Sequence, residues 1–120
     1  MKNNLLRLSL FALLPLSLIA CQAAELSAPG SSDALIAEGK AIVQAQCSSC
    51  HAVGLSGQSP RVDAPPLRTV LANYNAESLA DDFREHIHVG HPDMPDFDFG
   101  PQGTDEVIAY LKSIQEDPTQ

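Results

Sequence analysis

The chain has 120 residues, with 15 acidic residues against 7 basic ones and a formal net charge of −8. That length accommodates one small domain and an appendage, and the acidic excess excludes nucleic acid and anionic membrane surfaces as electrostatic partners. Three cysteines and no tryptophan leave little to hold so small a core together without a staple or a cofactor.

The first 20 residues, MKNNLLRLSLFALLPLSLIA, set Lys2 and Arg7 ahead of an apolar run from Leu8 to Ala20. The run is shorter than the roughly 20 residues a spanning helix needs, is interrupted by Pro15 and lacks a basic flank on its far side. It reads as an export signal. Leu18-Ile19-Ala20-Cys21 resembles the lipobox of bacterial lipoproteins, which implies lipidation of Cys21 and a mature chain that begins there. The expected organisation is a signal peptide over residues 1–20, a lipidated N-terminus and flexible tether over 21–32, one domain over 33–116 and a tail over 117–120. Without Lys2 and Arg7, five basic residues face 15 acidic ones, a formal charge near −10. If Cys21 is lipidated, Cys47 and Cys50 have only each other.

Along the domain, Ser32 and Asp33 are good N-cap residues. Leu35, Ile36, Ile42 and Val43 follow at helical spacing with Gly39 on the same face, which predicts a helix running into residues 47–51. Residues 52–66, rich in glycine, serine and proline, predict irregular chain, and a short helix is expected over residues 67–71. Asn75 caps a second predicted helix in which Leu79, Phe83 and Ile87 stand four apart and Gly90 closes the end. The stretch HPDMPDFDFGPQG, from His91 to Gly103, is a loop broken by three prolines. Thr104 is expected to cap a last helix, with Asp105 and Glu106 suited to the dipole of its first turn. Val107, Tyr110, Leu111 and Ile114 share one face of it, and Pro118 ends it. No stretch alternates as a strand does, so the fold class is all-α.

Residues 47–51 read CSSCH. A redox dithiol of the thioredoxin type follows a strand and opens a helix, whereas this motif follows a helix. Zinc takes four ligands; adjacent Cys50 and His51 reach one tetrahedral ion awkwardly, and no second CxxC exists. A covalent c-type haem uses all three side chains. Each thiol adds to a vinyl group, and the histidine after Cys50 is held under the iron as an axial ligand. An export signal agrees, because c-type haem is attached outside the bacterial cytoplasm. One covalently attached haem c is therefore the expected cofactor.

With these residues in place, the chain from about residue 34 to 116 resembles the class I cytochromes c. The resemblance implies an all-α cytochrome c-like fold in which N- and C-terminal helices cross over the haem, with Gly39 and Tyr110 at the crossing. Val43 stands where the family often has an aromatic residue. Ala64-Pro65-Pro66-Leu67 resembles the family's Gly-Pro-x-Leu segment, with alanine in place of glycine; by that resemblance Leu67 also belongs to the cofactor site and the Pro65 carbonyl accepts a bond from His51. Met94, flanked by Pro92 and Pro95 with Phe97 nearby, is the expected second iron ligand, and His91 is its competitor. His86 and His88, near a helix end, read as solvated or dipole-facing, and Asp93, Asp96 and Asp98 as solvated surface beside the haem face.

The function expected is electron transfer without catalysis, by a monohaem cytochrome with His51 and Met94 as iron ligands and Cys47 and Cys50 as anchors. It would be lipid-anchored on the periplasmic side of a bacterial membrane, with redox proteins bearing a basic docking surface as partners and neither nucleic acid nor a small-molecule substrate. Two alternatives share the fold: a haem subunit of a membrane dehydrogenase or oxidase, and a peroxidase-like or gas-binding protein with a displaceable distal ligand.

Overall fold

The computed structural model describes residues 31–116. The expected signal peptide, the lipobox with Cys21, nearly all of the tether and the tail 117–120 lie outside those residues. Among the described residues there are three α-helices and one 3-10 helix, with no strand, in the order α1 (Ser32–Cys47), the 3-10 helix (Leu67–Ala72), α2 (Ala76–Arg84) and α3 (Gly100–Ser113). None of these helices is long and apolar enough to cross a membrane.

Helix α1 is capped one residue earlier than expected. Ser31 Oγ accepts from Ala34 N at 3.2 Å, which satisfies one of the orphan donors and leaves Asp33 in the first turn, where the dipole favours it. Gly39 and Val43 are the buried residues of this helix. A Cβ added at Gly39 would fall inside the Glu106 carbonyl and 2.9 Å from Tyr110 Cβ, so α1 and α3 cross backbone against backbone.

Helix α3 begins a full turn before the expected cap. Gly100 takes a left-handed conformation (φ 64°), Asp98 Oδ1 accepts from its N–H at 3.2 Å, and Pro101 occupies the first turn, where its missing N–H costs nothing. Thr104 is consequently no cap but a fully buried helical residue, and Asp105 and Glu106 lie beyond the first turn.

Asn75 does cap α2, its Oδ1 accepting from Glu77 N and Ser78 N, each at 3.0 Å. The helix stops at Arg84, however, and Gly90 does not close it. His86 takes the left-handed position (φ 56°) and Ile87 N donates to Asp82 O at 2.8 Å, a C-terminal turn in which glycine is usual. Ile87 therefore leaves the helix and is 48% exposed, while Leu79 and Phe83 join Val43, Val107 and Leu111 in the core.

Candidate functional site

The end of α1, the 3-10 helix, α2 and residues 89–99 enclose a cleft of about 270 Å³. Its lining is mostly apolar, with Val43, Leu67, Val70, Phe83, Phe97 and Leu111 among its residues. Cys47, Cys50, His51, Pro65, His91 and Met94 all reach it, so every cofactor-binding residue expected from the sequence meets in one place.

At the end of α1 the chain stays coiled through the motif. Cys50 N and His51 N both donate to Cys47 O, at 3.1 and 2.9 Å, and Ser48 Oγ donates to Gln44 O at 2.6 Å. Cys47 and Cys50 form no disulfide with each other. Burial, with Cys50 beside it as a smaller cause, pushes the Cys47 thiol up to about 11. A reactive dithiol requires the opposite shift, so the environment argues against the thioredoxin-like reading. Among the described residues no three His, Cys, Asp or Glu side chains converge to hold an ion, which leaves zinc without a ligand set there.

His51 Nδ1 donates to Pro65 O at 2.7 Å. A carbonyl only accepts, so the proton sits on Nδ1 and the lone pair on Nε2. Of the two adjacent prolines, Pro65 makes this bond, while the Pro66 carbonyl accepts from Thr69 N and Oγ1. The segment that carries Pro65 is tied back to the motif: Leu67 N donates to Ala52 O at 2.9 Å and Arg61 N to Cys50 O at 3.2 Å. From α3, Tyr110 Oη donates to Val53 O at 2.6 Å and fixes the chain just past His51.

Met94 is half-buried, and its N–H donates to His91 O at 2.8 Å. Gly90, left-handed at φ 75°, lies so close that an added Cβ would stand 3.4 Å from Met94 Sδ. Phe97 stacks on Phe99 (centroids 5.1 Å apart), which meets Phe83 edge-on at 5.3 Å, so the loop leans on α2 through its aromatic rings. The His91 ring is 52% exposed; its Nδ1 accepts from Asp93 N at 3.1 Å and its Nε2 lies 3.7 Å from Asp63 Oδ2.

Arg61 carries no signal in the sequence, and His88, expected to be solvated or dipole-facing, is instead partnered. Arg61 holds Asp63 through two bonds, at 2.9 and 2.7 Å, and reaches Asp93 Oδ2 at 3.2 Å, which joins the CSSCH segment to the Met94 loop. Chiefly through the Arg61 hydrogen bond, Asp63 is drawn down to about 2. His88 contacts Asp96 and the His91 carbonyl, and the Asp96 hydrogen bond raises its pKa. The three aspartates expected as solvated surface are exposed but partnered, Asp93 with Arg61, Asp96 with His88 and Asp98 with His86. Charge alternation close to Met94 was the available signal, but the partners lie too far apart in sequence to pair by spacing.

Two thiols separated by two residues, an imidazole with one tautomer fixed and a thioether, gathered in an apolar cleft, fit a covalently attached haem, the thiols for its vinyl groups and the imidazole and thioether for its iron. A family model described as cytochrome C oxidase, cbb3-type, subunit III matches residues 34–111. No curated protein and no solved structure matches the chain.

Proposed function

The chain belongs to that family of c-type haem domains and is a class I cytochrome c with one covalently bound haem c; on this footing we propose that it carries single electrons with His51 and Met94 as the two iron ligands. The haem supplies a ferric–ferrous couple, and the protein holds, orients and encloses it. Cys47 and Cys50 carry the covalent attachment. The Pro65 carbonyl keeps the His51 proton on Nδ1, which frees Nε2 for the metal and strengthens it as a donor. The Met94 thioether and the apolar lining both favour the reduced state and so a raised potential. With His51 and Met94 both holding the iron, the chain would hand on charge without turning over a substrate.

The observation that carries this reading is the sharing of one apolar cleft by His51, with its tautomer fixed, and a half-buried Met94, while the His91 ring faces Asp63 and Asp93. The test is the spectrum and potential of Met94→Ala beside His91→Ala. Met94→Ala is expected to lose the far-red band of methionine–iron ligation, to bind carbon monoxide when reduced and to fall in potential. If it keeps spectrum and potential while His91→Ala changes both, the iron is bis-histidine. Open access to the iron in the unmutated protein would favour the peroxidase-like alternative.

The tether reading adds that Cys21 anchors the chain by lipid on the periplasmic side of a membrane, with residues 22–32 reaching roughly 36 Å at full extension. Cys21→Ser should then yield haem-loaded protein in the soluble fraction. The formal charge near −10 of the chain without residues 1–20 supports a redox partner with a basic surface, steered by the overall excess since the loop aspartates are already paired. Electron transfer to that partner should slow as salt is added. The family's description, an oxidase subunit, favours a second reading in which the partner is permanent. Co-purification of oxidase subunits in mild detergent would support that second reading.

A further inference from the structure

The loop that carries Met94 has almost no backbone bonding of its own. Over residues 88–98 its one backbone–backbone hydrogen bond runs from Met94 N to His91 O. A thioether is a weak ligand, so keeping it on a metal depends on how firmly its chain segment is held. Pro92 and Pro95 stiffen the chain locally, but neither joins one side of Met94 to the other.

One side chain does. His88 Nδ1 lies 2.7 Å from Asp96 Oδ1, and Nε2 lies 3.0 Å from His91 O. A carboxylate and a carbonyl both only accept, so both ring nitrogens donate and the ring is an imidazolium. Its contacts fall three residues before Met94 and two after it, and the carbonyl it grips is the one that accepts from Met94 N. Arg61 and His86 each touch the loop at a single acidic residue, Asp93 and Asp98.

We propose that His88 is a positioning residue for Met94, a two-armed clamp that grips the chain on both sides of the sulfur and holds it in the cleft. The proposal rests on Met94 being the second iron ligand. His88 is 41% exposed, and an exposed pair contributes little to global stability. The clamp therefore acts on where the sulfur sits, with little effect on whether the domain folds, and the two effects are separable by measurement.

The experiment uses the full, haem-loaded chain and compares His88→Phe, which keeps a ring and removes both donors, with His88→Arg, which keeps two donors, and with Met94→Ala. His88→Phe is expected to weaken the far-red band and to raise carbon monoxide affinity of the reduced protein at least tenfold, while its thermal midpoint stays within a few degrees of the unmutated chain. His88→Arg should restore the band and the exclusion of carbon monoxide. A His88→Phe protein with an unchanged band and unchanged carbon monoxide exclusion overturns the clamp, and so does one whose only change is a lower midpoint. If Met94→Ala abolishes the band and His88→Phe does not alter it, the clamp alone has failed. If Met94→Ala leaves the band intact, the ligand assignment has failed and the clamp falls with it. Should His88→Phe not accumulate, Asp96→Ala removes one arm from an exposed position: raised carbon monoxide affinity supports the clamp and unchanged affinity overturns it.

Discussion

At the α1–α3 crossing two backbones touch, because Gly39 has no Cβ to hold the Glu106 carbonyl away. In the Met94 loop, residues 88–98 share one backbone hydrogen bond and are held by the side chains of His88, Arg61 and His86. The first region is fixed by excluded volume, which tolerates no adjustment, and the second by the Phe97–Phe99–Phe83 ring contacts together with polar contacts at the surface, which water can replace. A haem domain has use for both. The crossing fixes the end of α1 from which the CSSCH motif leaves, and the loop supplies a side chain whose position is adjustable by single substitutions.

Gly39→Ala attacks the first region where it is least able to yield. The helices must separate or shift to admit one methyl group, at an expected cost of about 3 kcal/mol or more. For a domain of this size that lowers the thermal midpoint by more than about 10 °C. A melting curve of Gly39→Ala within a few degrees of the parent would mean that the contact is soft and that the contrast with the loop is overstated.

Gly90→Ala places the same methyl group in the second region. The new Cβ meets Met94 Sδ at 3.4 Å, an ordinary contact, but the residue sits at φ 75°, where a non-glycine residue costs about 1–2 kcal/mol. The midpoint should fall by much less than for Gly39→Ala, while the far-red band changes more. If both variants affected stability alone, the loop would be no more adjustable than the crossing.

Tyr110→Phe sharpens the comparison from within α3. The Cβ stays close to Gly39, and only the bond from Oη to Val53 O is lost. An expected loss of about 1 kcal/mol, read as a shift of several degrees in the midpoint, separates the hydroxyl's role past His51 from the close backbone approach at the crossing.

What was legible in the sequence divides along the same line. Gly39, Val43 and the Asn75 cap follow from spacing and residue type within one helix, and the CSSCH motif states its own geometry. Three boundaries lie elsewhere than residue type suggests. By composition Gly100 and Pro101 read as loop, although a proline in the first turn and a left-handed glycine before it are also ways to start a helix. His86 took the left-handed position expected of Gly90, because a histidine gives no composition signal for that role. Ser31 capped α1 in a run of three polar residues where Ser32 and Asp33 were equally eligible by type. The pairings Arg61–Asp93 and His88–Asp96 join residues whose proximity exists only after the loops have folded.

The smallest expected effect has an informative sign. Thr104 is fully buried and its Oγ1 has no hydrogen-bond partner. Thr104→Val keeps the branched shape, and with it the packing, but removes a hydroxyl that was desolvated for nothing. The substitution should therefore be neutral or stabilising by up to about 1 kcal/mol, a rise of a few degrees in the thermal midpoint. Had α3 begun at Thr104, as residue type alone suggests, the hydroxyl would cap the first turn and its loss would cost about 1 kcal/mol. The direction of the shift thus distinguishes a helix that starts at Gly100 from one that starts at Thr104. A midpoint lowered by several degrees would return Thr104 to the cap and detach residues 100–103 from the helix that packs against α1.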